Sequence, residues 1–277
     1  MTPSAASRRR PLSRIVLWAV SIGRRSLARF IALEGFDRAM ALAGQAFAAL
    51  LPLLIVVSAV SPSGGDDLAD DLVDRFELKG STADTLDAAV GAAEGVQVSV
   101  GALGVLILLL SALSFTRAMQ RLYVRAWGLG RLGLRGNVWG LLWILAFVLY
   151  WSLQPVIVSL LSGLGAVATS LALSCALWLF TPWLLVGRRI PWRHLFPQAL
   201  LTAVSLAVFG AASVIYMPHT VGTAAGEFGF IGVAFSLLSW LFVACWILVA
   251  TAALGATLVE SPRAGDAAPV AVEDDGR

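Results

Sequence analysis

The sequence predicts an all-α integral membrane protein that crosses the bilayer six times, and three observations carry that prediction. Of its 277 residues, 58% are hydrophobic and 13% charged, against roughly 45–50% and 25% in a soluble domain, so the chain holds more apolar surface than a globular core could hide. The charges are bunched: none falls between Arg38 and Asp66, Glu94 and Arg117, Arg135 and Arg188, Arg193 and Glu227, or Glu227 and Glu260, and one crossing needs about 20 apolar residues. These runs also lack the period-two alternation of barrel strands. Helices, which satisfy their own backbone polar groups in lipid, are therefore the reading.

Taken in order, residues 1–38 form a basic N-terminal segment. Leu12, Ile15, Val16, Ala19 and Ile22 recur at helical spacing among Arg14, Arg24, Arg25 and Arg29 over residues 12–33, as in a helix lying on the inner leaflet. A signal peptide is the competing idea; the apolar stretch Ile15 to Ile22 is short and no clear cleavage site follows, so the segment is expected to be retained. The transmembrane domain is expected over 39–259, with spans at about 39–60, 98–116, 138–160, 167–187, 197–216 and 229–256. The uncharged interval from Arg135 to Arg188 is too long for one crossing, and Ser162-Gly163-Leu164-Gly165 near its centre marks a turn.

Between the first two spans, residues 61–97 carry Asp66, Asp67, Asp70, Asp71, Asp74, Glu77, Asp84, Asp87 and Glu94, with Leu68, Leu72, Val73 and Phe76 at helical spacing. This reads as a short helical cap on the outer end; its carboxylates lack an ion-binding loop, and a solvated helix face is the simpler account. Residues 260–277, with Pro262, Pro269 and Glu273-Asp274-Asp275, read as a disordered cytoplasmic tail.

Orientation follows from the arginines. Arg8, Arg9, Arg10, Arg14, Arg24, Arg25, Arg29 and Arg38 precede span one; Arg117, Arg121, Arg125, Arg131 and Arg135 separate spans two and three; Arg188, Arg189 and Arg193 separate spans four and five. The positive-inside rule then places both termini in the cytoplasm. The net charge of +3 is explained by topology and by anionic lipid headgroups, with no nucleic-acid partner expected. Trp127, Trp139, Trp143, Trp183 and Trp192 near span ends fit an interfacial aromatic belt. Cys175 and Cys245 fall inside spans without disulfide or metal spacing and read as apolar fillers.

Three stretches carry a family resemblance: the run Ala39 to Pro52 (AMALAGQAFAALLP), the run Ser114 to Tyr123 (SFTRAMQRLY), and Phe228-Gly229-Phe230-Ile231-Gly232 followed by Trp240. In order and spacing the chain from about Phe36 to Val259 resembles the YihY/BrkB family of bacterial inner-membrane proteins. The resemblance implies a six-span protein of the cell membrane, in a family tied to envelope properties or virulence and sometimes labelled ribonuclease BN. Departures fall at Val124, where the family tends to have asparagine, at Phe228, where it has tyrosine, and at Thr251-Ala252-Ala253, where it has a glycine-alanine-glutamate.

The chemistry of the residues argues against an enzyme. A nuclease needs acid and base groups or metal ligands converging on a phosphodiester, whereas His194 and His219 are predicted on opposite sides of the membrane and no glycine-rich phosphate loop appears. No catalytic residue, cofactor or metal is expected. Polar groups in or beside spans are costly in lipid and often face a cavity, which makes Gln45, Gln154, Gln198, His219 and Glu227 candidates. Pro52 lies on nearly the same face as Gln45, and Pro155 kinks the helix beside Gln154. Met217 to Gly229 reads as an external loop or a re-entrant segment. For Gln45, a hydrogen bond that merely holds the bundle is the simpler reading. The expectation is a non-enzymatic protein that moves or accommodates a small solute or lipid in a cavity bordered by spans one, three and six. The rival is an envelope scaffold binding another protein through the acidic cap or the basic loop, with a ribonuclease third.

Overall fold

The computed structural model describes residues 10–60, 98–130, 132–133 and 135–260. The expected acidic cap at 61–97 and the tail beyond Glu260 lie outside the described residues. Helix α1 (Arg10–Ala32) is followed by α2 (Gly35–Val60), α3 (Val98–Ala126), α4 (Arg135–Ser159) and α5 (Gly163–Leu185). A last stretch of 69 residues folds as an antiparallel pair, α6 (Trp192–Gly229) and α7 (Ile231–Glu260). Among the described residues there is no strand.

The breaks fall where the backbone turns left-handed. Glu34 (φ 53°) separates α1 from α2, Gly163 (φ 55°) opens α5, and Gly187 with Arg188 (φ 71° and 61°) closes it, which matches the common way a helix ends. The predicted turn at 162–165 is where the α4–α5 hairpin folds back. Helix α3 runs past Arg117, Arg121 and Arg125 to Ala126, because a charge ends the hydrophobic core and not the helix, as expected of arginines that continue span two beyond the bilayer. One boundary differs from the sequence reading. Residues 217–229, expected as a loop, are helical through Pro218, and the chain reverses only at Gly229 (φ 58°, ψ −141°), a conformation essentially reserved for glycine.

Five described helices are long and apolar enough to cross a membrane, namely α4 to α7 and the Val105–Ala126 part of α3. Helix α2 is 26 residues long, with side chains described as far as Leu50. Only 6% of the most apolar stretch of α4, and of α5, is buried against 28% for α3, which puts α3 at the centre and the α4–α5 pair at the rim. Exposed Val138, Leu145, Leu149, Trp151 and Val156 on α4 would be untenable in water and are ordinary against lipid.

The centre is built where α2 packs on α3 and α7. Ala39, Leu42 and Ala43 meet Met119, Leu122, Tyr123 and Ala126, with Val249, Ala252 and Ala253 beneath. Lipid is as apolar as leucine, so helix association here depends on close packing and on polar contacts between helices. Both are present. Gly140 leaves room for Thr116, whose Cγ2 would sit 3.0 Å from a Cβ added there, and Gln120 Nε2 donates to the Gly136 carbonyl at 2.6 Å. Trp143 Nε1 donates to Thr181 Oγ1 between α4 and α5, and Trp127 Nε1 to Gln198 Oε1 between α3 and α6. Trp143 and Trp127 thus serve inside the bundle instead of in the expected belt. Trp192, exposed, and Trp183, under the Arg188 guanidinium at 4.5 Å, keep interfacial positions. Cys245 is buried and Cys175 half-buried, both as free thiols.

Helix α1 docks on α7. Arg29 forms a two-pronged ion pair with Glu260, at 2.7 and 2.8 Å, and the Phe30 ring meets Trp246 edge-on at 5.9 Å. Its Trp18, Val20, Leu27 and Ile31 stay exposed, the apolar face an interfacial helix turns to lipid.

Candidate functional site

The residues singled out in the sequence do not converge. Gln45 sits on α2 with its Oε1 buried and lacking a hydrogen-bond partner among the described residues. The α2 backbone is helical through Pro52, whose side chain lies outside the described residues. On α4, Gln154 Nε2 donates to Ser170 Oγ of α5 at 3.4 Å, and Pro155 is exposed toward the rim. His219 and Glu227 are both exposed on the far part of α6. Gln198, 1% exposed, is held at the junction of α3, α6 and α7 by its bond to Trp127. No described interaction joins any two of these residues.

What the structure does contain is a groove of about 720 Å³ between α6 and α7, the fifth and sixth of the expected spans, whereas the cavity expected between spans one, three and six involves span-one side chains outside the described residues. Phe209, Ser213, Tyr216, Met217 and Thr220 line one wall, and Phe228, Ile231, Phe235, Ser236 and Trp240 the other. Neither His219 nor Glu227 belongs to it, and no described lining residue is charged.

The groove follows from the packing of the two helices. They touch through small residues: a Cβ on Gly232 would lie 2.1 Å from the Ala224 carbonyl oxygen, and one on Gly255 would lie 2.4 Å from Gln198 Cβ. At the latter level Thr202 Oγ1 donates to Thr251 Oγ1 at 2.9 Å. Larger side chains are thereby pushed to either side of the contact, and on one side they leave the furrow. Its floor is rigid. Trp240 Nε1 donates to Ser213 Oγ at 2.8 Å, Ser213 Oγ donates to the Phe209 carbonyl at 2.7 Å, and the Phe209 and Trp240 rings stack at 5.6 Å.

Its depth can be read from the helix rise of about 1.5 Å per residue. Ser213 lies about 30 Å along α6 from Arg193, which is the full thickness of a hydrocarbon core. Trp240, bonded to Ser213, and Tyr216 therefore stand about one such thickness along the helix pair from the Arg188–Arg193 connection. From there α6 continues about 24 Å further to Gly229. Exposed Val214, Ile215, Phe228, Ile231 and Phe235 keep that extension apolar. The spacing of Phe228, Ile231 and Phe235 was visible in the sequence, but a loop expectation over 217–229 hid that they line a wall facing Phe209 to Thr220 of α6.

An all-helical chain whose described helices are long, apolar and outward-facing defines a multi-pass membrane protein. It belongs to the virulence factor BrkB family, a model of which matches residues 26–273, in agreement with the resemblance seen in the motifs. No curated protein and no solved structure gives a significant match.

Proposed function

We propose that this is a six-span, non-enzymatic protein of the bacterial inner membrane, with both termini cytoplasmic, that accommodates the acyl chain of a membrane lipid in the α6–α7 groove. The groove is the observation that carries the reading: it is apolar and open, as sites for apolar ligands are. Its volume suits a lipid chain better than a hydrated ion or polar solute, which the absence of charge in the described lining would leave unsolvated. The 26-residue helix α2 supplies the sixth span, and the basic connections supply the orientation.

The test is the lipid that remains bound to purified protein, counted by quantitative mass spectrometry in wild type and in Ala212→Trp/Ser239→Trp, which fills the groove from both walls. Loss of about one lipid per chain from a folded double variant is expected, by displacement of one chain's worth of contact. Unchanged lipid content would remove the basis for this reading. A second reading, an envelope scaffold, draws on the apolar tip beyond the interface, where Phe228 and Ile231 are exposed. It is favoured if Phe228→Ser/Ile231→Ser abolishes a cross-link to another protein while bound lipid is unaffected.

A further inference from the structure

We infer that Arg38, Arg121 and Arg125, gathered at the α1–α2 elbow, form a binding site for a phosphate group presented by a lipid headgroup. This stands independently of the groove, whose lining includes none of these arginines.

Arg38 comes from the first turn of α2, and Arg121 and Arg125 from successive turns on one face of α3. Both α3 arginines are exposed, and Arg38 is half-buried. Two of the three guanidinium groups share one carboxylate within ion-pair distance among the described residues, Glu34, at 3.4 Å from Arg38 Nη2 and 3.6 Å from Arg125 Nη1. The Arg29–Glu260 pair shows what a satisfied contact looks like in this protein, at 2.7 and 2.8 Å in a two-pronged fork. Glu34 is stretched between two arginines and saturates neither. Asp37, exposed in the same turn, forms no ion pair among the described residues.

The cluster is electrostatically unfinished. Burial and the charge of Arg125, joined by that of Arg121, pull the Arg38 guanidinium below its ordinary range, and only Glu34 opposes them. Arg121 and Arg125 are like charges four residues apart on one helix, an arrangement that is unfavourable unless an anion lies between them. The elbow geometry holds Arg38 in place: Glu34 adopts φ 53°, and Arg38 Nε donates to the Leu33 carbonyl where α1 ends, leaving part of its fork free. Arginine forks match the oxygen spacing of phosphate. Since α1 presents Trp18, Leu27 and Ile31 outward as an interfacial helix does, the elbow sits at headgroup depth.

The full chain, purified in detergent, is titrated with phosphatidylglycerol and with phosphatidylcholine, and bound lipid is read by native mass spectrometry. In Arg121→Gln/Arg125→Gln the phosphatidylglycerol affinity is expected to fall about tenfold or more. Arg24→Gln/Arg25→Gln, which removes the same charge from α1, should change it by less than about twofold, as distant screened charges do. Arg121→Lys/Arg125→Lys keeps the charge, guards against a folding defect, and should fall between the two. Equal losses in the α1 and α3 glutamine variants would overturn the site in favour of diffuse attraction, as would no loss in the α3 variant. Competition by inorganic phosphate that depends on the same arginines upholds the site and assigns its ligand to free phosphate groups as well. Arginine-dependent lipid binding without such competition upholds the headgroup as the source.

Discussion

Replacing Gly255 with alanine should loosen the α6–α7 pair on which both the groove and the bundle centre depend. A Cβ at this position would lie 2.4 Å from Gln198 Cβ, 2.9 Å from its Cγ and 3.0 Å from its Cα, where ordinary contact begins at 3.4 Å. Because one of these atoms is backbone, a rotamer change cannot clear the clash, and the helices must part by about 1 Å, the difference between the clash and ordinary van der Waals contact. One turn away the Thr202–Thr251 bond, 2.9 Å long, would stretch to nearly 4 Å by that displacement and cease to be a hydrogen bond. Overpacking costs about 1–3 kcal/mol and a lost interhelical hydrogen bond in a membrane protein about 0.6 kcal/mol, so the penalty is about 2–4 kcal/mol. Alanine also gains about 1 kcal/mol of helix propensity over glycine. The proper reference is therefore Gly222→Ala, a helical site where an added Cβ meets nothing within 4 Å. Reversible unfolding in bicelles by steric trapping should find the Gly255 variant less stable than the Gly222 variant by the full penalty. Equal stability of the two would refute the claim that this glycine sets the helix separation.

Two further substitutions test the remaining geometry. Gly229→Ala places a side chain in a region of backbone space nearly closed to it, with no neighbour to clash, so about 1–3 kcal/mol of strain alone is expected. The Trp240–Ser213 contact should persist, read as unchanged tryptophan emission from a chain retaining only that indole. Gln45→Leu removes a buried oxygen that has no partner among the described residues, so stability should hold or rise by about 1 kcal/mol. A loss of stability, measured by the same trapping assay, would mean that Gln45 is satisfied in the membrane by something beyond the described residues.

Much of this architecture was legible in the sequence because bilayers impose a coarse rule, and uncharged runs between arginines reported it. The turn at Gly163 was found because glycine and serine interrupt an uncharged stretch at its middle. Helix α3 outlasts its apolar run, as Arg117 and Arg121 suggested, since long arginine side chains let a helix run on into the headgroup region without breaking. The segment 217–229 was misread: Pro218, His219 and Glu227 look like loop residues, yet a helix tolerates them when they face outward and the backbone has no turn before Gly229. Polar candidates were chosen one at a time for their cost in lipid, whereas the structure spends Gln198, Thr202 and Thr251 on holding helices together. The groove depends on which sides of two helices face each other, information carried by Gly232 and Gly255 only once their antiparallel register is known.

The clasp between Arg29 and Glu260 ties together residues 231 positions apart, and this has a consequence for the order in which the chain assembles during synthesis. Among the described helices α1 emerges first, but its docking partner α7 is the last to be made. While every span between them is being inserted, α1 must wait at the membrane surface, held by its own apolar face and its arginines. Completion of the bundle is therefore signalled at its beginning: only when the final turn of α7 arrives does the N-terminal helix acquire its ion pair and the Phe30–Trp246 contact. A chain stopped short of residue 260 would keep its spans and leave α1 without the clasp, presenting an unfinished face by which an incomplete molecule can be distinguished from a finished one.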